Sequence, residues 1–339
     1  MPRRRHLLGF AALCVVAACT PSAPKVADHP TAAGVAAIDG ARLAGAHPVG
    51  LRAADGPDGP LWLFYPASSD ASAGSAAPLP PDYVISLARR FGGQAAADLI
   101  AARGPVAWDA PPLAGRHPLL IFTPGASMGG QGYRALLAGI ASHGYVVAAL
   151  DPLGSPPVSD QRYADAADAL GRAARTLAAQ GSLDGVAFDR GCLVAIGHSI
   201  GGAAAVLALT RSPVPLVAAI NLDGDYSGAA KASAPARPIL YVTGSDPTEA
   251  ERSVRRRAAD WALVAGDNPA AHRVELGNLR HLDFHDAALL PAVTIPSGLR
   301  HRRFGPLGGA RALASIDAEV SAFLKTVTAA CAANSQARG

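Results

Sequence analysis

Two stretches of the sequence place a serine between glycines in the pattern G-x-S-x-G: Gly125-Ala126-Ser127-Met128-Gly129 and Gly197-His198-Ser199-Ile200-Gly201. Such a serine sits on a sharp strand-to-helix turn with its hydroxyl pushed outward. Glycines flank it because side chains there would strike the adjoining strand and helix. The chemistry on offer is attack of an activated hydroxyl on an acyl carbonyl. It needs a base within hydrogen-bond reach, an acid that holds the tautomer of that base, and backbone N–H groups aimed at the developing oxyanion.

The elements that must hold these groups follow from the apolar pattern. Residues 48–53 and 61–65 flank a Gly-Pro-Asp-Gly turn and read as a hairpin. Residues 67–116 are rich in Ala, Pro and Gly, with one or two short helices near 83–102, and read as a lid-like segment over the domain. Tyr83, Phe91 and Trp108 of that segment are candidates to line an acyl pocket, with ordinary packing the competing role. Strand-like runs then recur at 119–123, 145–150, 193–196, 216–222, 239–243 and 272–276. Helical stretches fall at 133–142, 161–180, 200–210, 247–264 and 310–329. Continuous apolar strands alternating with helices imply a mostly parallel sheet covered on both faces, with the opening hairpin antiparallel. One domain is expected over 38–333.

Eight strands in this order suit an α/β-hydrolase, in which the nucleophile follows the fifth strand and three strands remain. Three runs follow Ser199 and five follow Ser127, so Ser199 is the expected nucleophile. The loop after the third strand and the residue after the serine then supply the oxyanion donors, the backbone N–H groups of Ala126 and Ile200. Ser127 is left as a loop hydroxyl serving its turn, with a substrate contact the alternative. The histidine of this fold follows the last strand. Of ten histidines, His281 and, one turn further on, His285 remain. Their i, i+4 spacing also suits a metal pair, but no glutamate lies between them and no third ligand stands near. Neither metal nor cofactor is expected. Two aspartates compete as the acid. Asp223 follows the sixth run, and Asp246 follows the seventh, the commoner place. The competing role of Asp246 is an N-cap ahead of Pro247.

Four stretches resemble the platelet-activating factor acetylhydrolase family of α/β-hydrolases: 118–125 with the first glycine motif, 141–149, 197–202 with the elbow, and the segment His281-Leu282-Asp283-Phe284-His285-Asp286. The resemblance covers roughly 48–290. It places the acid in a Leu-Asp pair some two dozen residues beyond the serine, which Leu222-Asp223 matches, so it favours Asp223 over Asp246. Pro124 stands where the family has histidine, and 291–307 has no counterpart. The resemblance implies a serine hydrolase of short acyl or lipid-like esters, in the carboxylesterase class. A peptidase or amidase on the same fold, and a surface lipoprotein without catalysis, are the alternatives.

The N-terminus reads as an address. Arg3, Arg4 and Arg5 precede a short apolar run at 7–18, too short for the ~20 apolar residues that span a bilayer. Ending at Cys19, it resembles a bacterial lipoprotein signal. A signal peptide over 1–18, lipid on Cys19, a flexible tether over 19–37 and a membrane-anchored place in the cell envelope are expected. The double arginine leaves the export route open between the general and twin-arginine pathways. Without the three arginines of the leader, the net charge of +4 drops to about +1. No basic block tracks a phosphate backbone, so nucleic acid is not an expected partner. Arg255-Arg256-Arg257 reads as a solvated helix face. Cys192 and Cys331 remain in the exported chain, and their pairing is left open by the sequence.

Overall fold

Apolar residues occupy both alternating sets of the central strands, as a sheet covered on both faces requires. Leu119, Ile121, Leu193 and Ala195 enter one core, while Leu120, Phe122, Val194 and Ile196 enter the other. A computed structural model of the chain describes residues 25–68, 81–151, 159–245 and 248–336.

Its first helix, α1 (Ala32–Asp39), precedes the hairpin β1 (Val49–Gly56) and β2 (Gly59–Pro66). Two helices, α2 (Pro81–Phe91) and α3 (Gly93–Ala101), and the short strand β3 (Ala107–Trp108) lead into the alternating part. That part begins β4 (His117–Thr123), α4 (Arg134–Ser142), β5 (Val146–Leu150), α5 (Asp160–Gln180), β6 (Ser182–Leu183), β7 (Val186–His198) and α6 (Ile200–Arg211). It continues β8 (Ala218–Leu222), α7 (Gly228–Lys231), β9 (Ile239–Ser245), α8 (Glu251–Ala265) and β10 (Ala271–Gly277). Helices α9 (Ser297–Arg303) and α10 (Gly309–Gln336) follow.

The sheet runs β10-β9-β8-β7-β4-β5-β2-β1-β3, with β6 against β7. β2 pairs antiparallel with both β1 and β5, and every long pairing from β5 across to β10 is parallel. The eight expected strands are all present. β3 and β6 are additions of two residues each, too short to carry a periodic signal. Helices α2, α3, α4 and α10 pack on one face, and α5, α6 and α8 on the other. Because β4, β7, β8, β9 and β10 are parallel, the loops at their C-terminal ends gather along one edge of the sheet, where open α/β sheets hold their sites.

Three expectations are corrected. The stretch expected as a tether is docked over its described part. The Ala27 amide donates to the carbonyl of Gly93 at 3.2 Å, and Thr31 caps α1 while donating to the buried Asp98. Ile38 of α1 is fully buried. The part of 67–116 described here is scaffold rather than lid. Tyr83, Phe91 and Trp108 lie in the core, Trp108 edge-on to Trp62, and none of them lines the cleft at the sheet edge. Finally, β7 is much longer than the run 193–196, because its first residues pair with β6 and the start of β4 through less apolar positions.

Cys192 of β7 and Cys331 of α10 form a disulfide, with Cα atoms 5.7 Å apart. Cys19 lies outside the described residues.

Candidate active site

β7 ends at His198 and α6 begins at Ile200, so Ser199 alone turns the chain. It does so at φ 58°, ψ −127°, a conformation that costs a non-glycine residue of order 1–3 kcal/mol. The glycines around it have no room for a side chain. A Cβ on Gly197 would lie 2.3 Å from the carbonyl oxygen of Gly201, and one on Gly201 would lie 2.1 Å from that of Thr123. The Ser199 amide donates to Leu222 O at 2.9 Å, joining the elbow to the end of β8.

Ser199 Oγ stands 3.0 Å from His281 Nε2, and His281 Nδ1 stands 2.7 Å from Asp223 Oδ2. The carboxylate accepts, so Nδ1 carries the proton of the neutral ring and Nε2 is left to accept from the serine hydroxyl. Asp223 is itself held, at φ 53°, with its amide donating to Val242 O. Its second oxygen accepts the Gly244 amide at 3.0 Å. The expected Ser199, Asp223 and His281 are therefore brought together. Asp246 lies outside the described residues. His285 is not at the serine. Its ring is buried against Phe91 and Tyr133, Nδ1 accepts from the Ala287 amide, and burial pushes its pKa down to about 3.

A second histidine is part of the site's frame. His198 is fully buried, and burial, with the charge of a protonated His281 adding to it, drives its pKa well below the ordinary value, so the ring is neutral. Its Nε2 faces the backbone carbonyl of His281 at 2.8 Å and must donate there. Nδ1 is then bare and accepts from the Tyr133 hydroxyl at 2.8 Å, and that hydroxyl accepts the Gly125 amide at 3.2 Å. One directed chain thus runs from the loop after β4, through the residue before Ser199, to the backbone of His281.

The amides of Ala126 and Ile200 donate to no acceptor among the described residues. The loop carrying Ala126 is fixed from behind by α2. Arg90 Nη2 donates to Ala126 O at 2.8 Å, and Ser86 Oγ donates to Ser127 O at 2.7 Å. Ser127 is held through its carbonyl, in a left-handed conformation, as part of this loop.

Comparison with known proteins bears on the fold. A family model described as Chlorophyllase matches residues 94–245, a little under half of the chain. The match takes in Gly125, Ser199 and Asp223 and stops before His281. A ferulic acid esterase from Streptomyces cinnamoneus superposes with a TM-score of 0.62 at 23% identity, over 84% of this chain and 91% of that one. The chain has the α/β-hydrolase fold. A dienelactone hydrolase-like promiscuous phosphotriesterase from metagenomic libraries gives a TM-score of 0.47 at 17% identity, over 81% of this chain and 99% of that one. No curated protein matched the chain. The family matched is Chlorophyllase, not the acetylhydrolase family that the motifs resemble.

In this fold the segment after β10 is fixed at each step. Asp283 accepts the amides of Arg280 and Gly305, both at 2.7 Å, and burial raises its pKa to about 6. Phe284 stacks on His198 with ring centroids 5.3 Å apart. Asp286 accepts the amides of Arg134 and Ala135 and so caps α4 from a distant part of the chain. A cleft of about 430 Å³ opens over Ser199, with Ile200, Asp225, Arg257 and Arg303 in its walls. Arg257, expected on a solvated face, is mostly buried instead. It pairs with Glu249 and, at 3.6 Å, with Asp225, and it lies 3.9 Å from Asp223. A run of three arginines gave no sign of which one turns inward. His198, Tyr133 and Arg90 were also missed, because each acts across long stretches of chain. Only the position of His198 beside the serine could have suggested a role.

Proposed function

We propose that this protein is a serine carboxyl-ester hydrolase working through an acyl-enzyme. One observation carries the reading: Ser199 Oγ, His281 and Asp223 form a continuous hydrogen-bonded line, at 3.0 and 2.7 Å, on a strained elbow at the mouth of a cleft. His281 takes the serine proton as Ser199 Oγ attacks the ester carbonyl. The N–H groups of Ala126 and Ile200 receive the oxyanion, where such donors are worth about 3–4 kcal/mol each in related chemistry. The protonated His281, steadied by Asp223, returns the proton to the leaving alcohol. Water then enters and adds to the acyl carbon while giving a proton to His281, which returns it to Ser199 Oγ as the acid leaves.

The neighbouring structure's name, ferulic acid esterase, accords with ester hydrolysis. A preference for short acyl or lipid-like esters rests on the acetylhydrolase resemblance of the motifs around Ser199 and His281. The leader supports export and lipid attachment at Cys19, which would hold the enzyme on a membrane of the cell envelope. The membrane and a small ester are its partners in this reading.

The test is labelling of the folded chain from residue 26 onward with a fluorophosphonate probe, with the adduct located by peptide mass spectrometry. An adduct on Ser199 that disappears in Ser199→Ala is expected. An adduct on Ser127, or none on folded protein, would overturn the assignment.

A further inference from the structure

The stretch 291–307, which has no counterpart in the resembled family, is tied to the loop of His281 at two points. Arg280 donates to the carbonyl of His301, and the Leu282 amide donates to the carbonyl of Arg303 at 3.0 Å. These bonds bring the last turn of α9 to the rim of the cleft. Arg302 and Arg303 line it there, together with Ser199 and His281, and both are exposed.

The carboxylates of that wall are already engaged. Asp223 holds His281 and the Gly244 amide, Glu249 pairs with Arg257, and Asp225 is shared between Arg256 and Arg257. Among the described residues, no carboxylate lies within ion-pair distance of Arg302 or Arg303. A third cation, Arg90, is near enough to feel the charge of Arg303. Burial lowers the pKa of Arg90, the charge of Arg303 lowers it further, and Arg90 has no described carboxylate partner either. Guanidinium groups left without a counter-charge beside a reacting centre are suited to carboxylate or phosphate oxygens, which they bind by paired, charge-assisted hydrogen bonds.

We infer that the cleft selects esters that carry a second, anionic group, bound by Arg302 and Arg303 while Ser199 attacks the ester carbonyl. The inference rests on Ser199 being the nucleophile. It assigns 291–307 a role in substrate choice that the triad itself does not provide.

The experiment compares two matched pairs of esters at low ionic strength. Ethyl butyrate and monoethyl succinate differ by a carboxylate on the acyl side, and phenyl acetate and 3-acetoxybenzoate by one on the alcohol side. In at least one pair the charged ester should have the higher kcat/KM by about tenfold, the equivalent of one charge-assisted hydrogen bond. That ratio should shrink as salt is added and fall to near one in the double variant Arg302→Gln, Arg303→Gln. A fluorophosphonate adduct on Ser199 with no preference in either pair would overturn this inference alone. So would a ratio that the double variant leaves in place. Failure on all four esters with no adduct on Ser199 would overturn the hydrolase reading, and this inference with it.

Discussion

The ring of His198 donates from Nε2 to the backbone carbonyl of His281 at 2.8 Å, so the residue before the serine holds the loop of its hydrogen-bond partner. Through Tyr133 the same ring reaches the Gly125 amide. Tyr133→Phe cuts the chain in its middle and leaves Gly125 N–H and His198 Nδ1 unpaired. If these bonds position the oxyanion loop and the base, kcat should fall about tenfold with KM within about twofold, the pattern of an interaction made in the transition state. Steady-state kinetics on one activated ester would check this. A change confined to KM, or none, would show that the chain only fills space.

Asp223 and Asp246 give opposite expectations on substitution. Asp223→Asn should lower kcat by about 10⁴, because an amide can favour the wrong tautomer of His281. Asp246→Asn should leave turnover within about threefold. Equal losses in the two variants would mean that the carboxylate 2.7 Å from His281 Nδ1 does not orient it.

His285 makes a pH-dependent contribution whose sign can be worked out. Its pKa is about 3 in the fold and 6.5 ordinarily, so between those values the unfolded chain binds a proton that the native chain does not. Stability from this group is complete above pH 6.5 and is lost as the pH falls. Asp283 and Asp286, each raised to about 6, act in the opposite direction and favour the fold as pH drops through 6. In His285→Leu the first effect disappears. The variant's stability relative to wild type should therefore improve by about 2 kcal/mol between pH 7.5 and pH 5. Urea unfolding at the two pH values measures it, and a difference that does not change with pH would contradict the expectation.

Arg90 separates activity from stability. Its guanidinium holds the carbonyl of Ala126, yet it is a largely buried cation whose Nε has no partner. Arg90→Met keeps the bulk and drops the charge. Acylation should slow about tenfold as the loop loses its brace, while the unfolding midpoint holds or rises, since an unpaired buried charge has been removed. Parallel rate and denaturation measurements decide. Loss of stability in step with activity would mean that the arginine serves the core.

What could be read from the sequence depended on how local the physics was. The elbow at Ser199 was legible because its glycines answer a steric demand within a few residues. The sheet was legible because both alternating sets of each inner strand are apolar. Choosing between Asp223 and Asp246 needed a family resemblance, since each follows a strand-like run and nothing nearby separates them. The docking of α1 was hidden because its anchor, Asp98, lies 67 residues from Thr31. The role of helix α2 stayed open in the sequence for a related reason. Tyr83 and Phe91 look the same in sequence whether they line a pocket or fill a core, and Ser86 and Arg90 between them gave no hint of the carbonyls they reach.

The bond between Cys192 and Cys331 encloses a ring of backbone, 139 residues from one sulfur-bearing residue to the other. Ser199, Asp223 and His281 all lie inside it. A protease that cuts once anywhere between the two cysteines therefore produces no separate fragments, only a nicked molecule whose two pieces share a covalent link. Damage to a loop of this ring need not scatter the three groups. A nicked chain would run as a single band until a reductant is added.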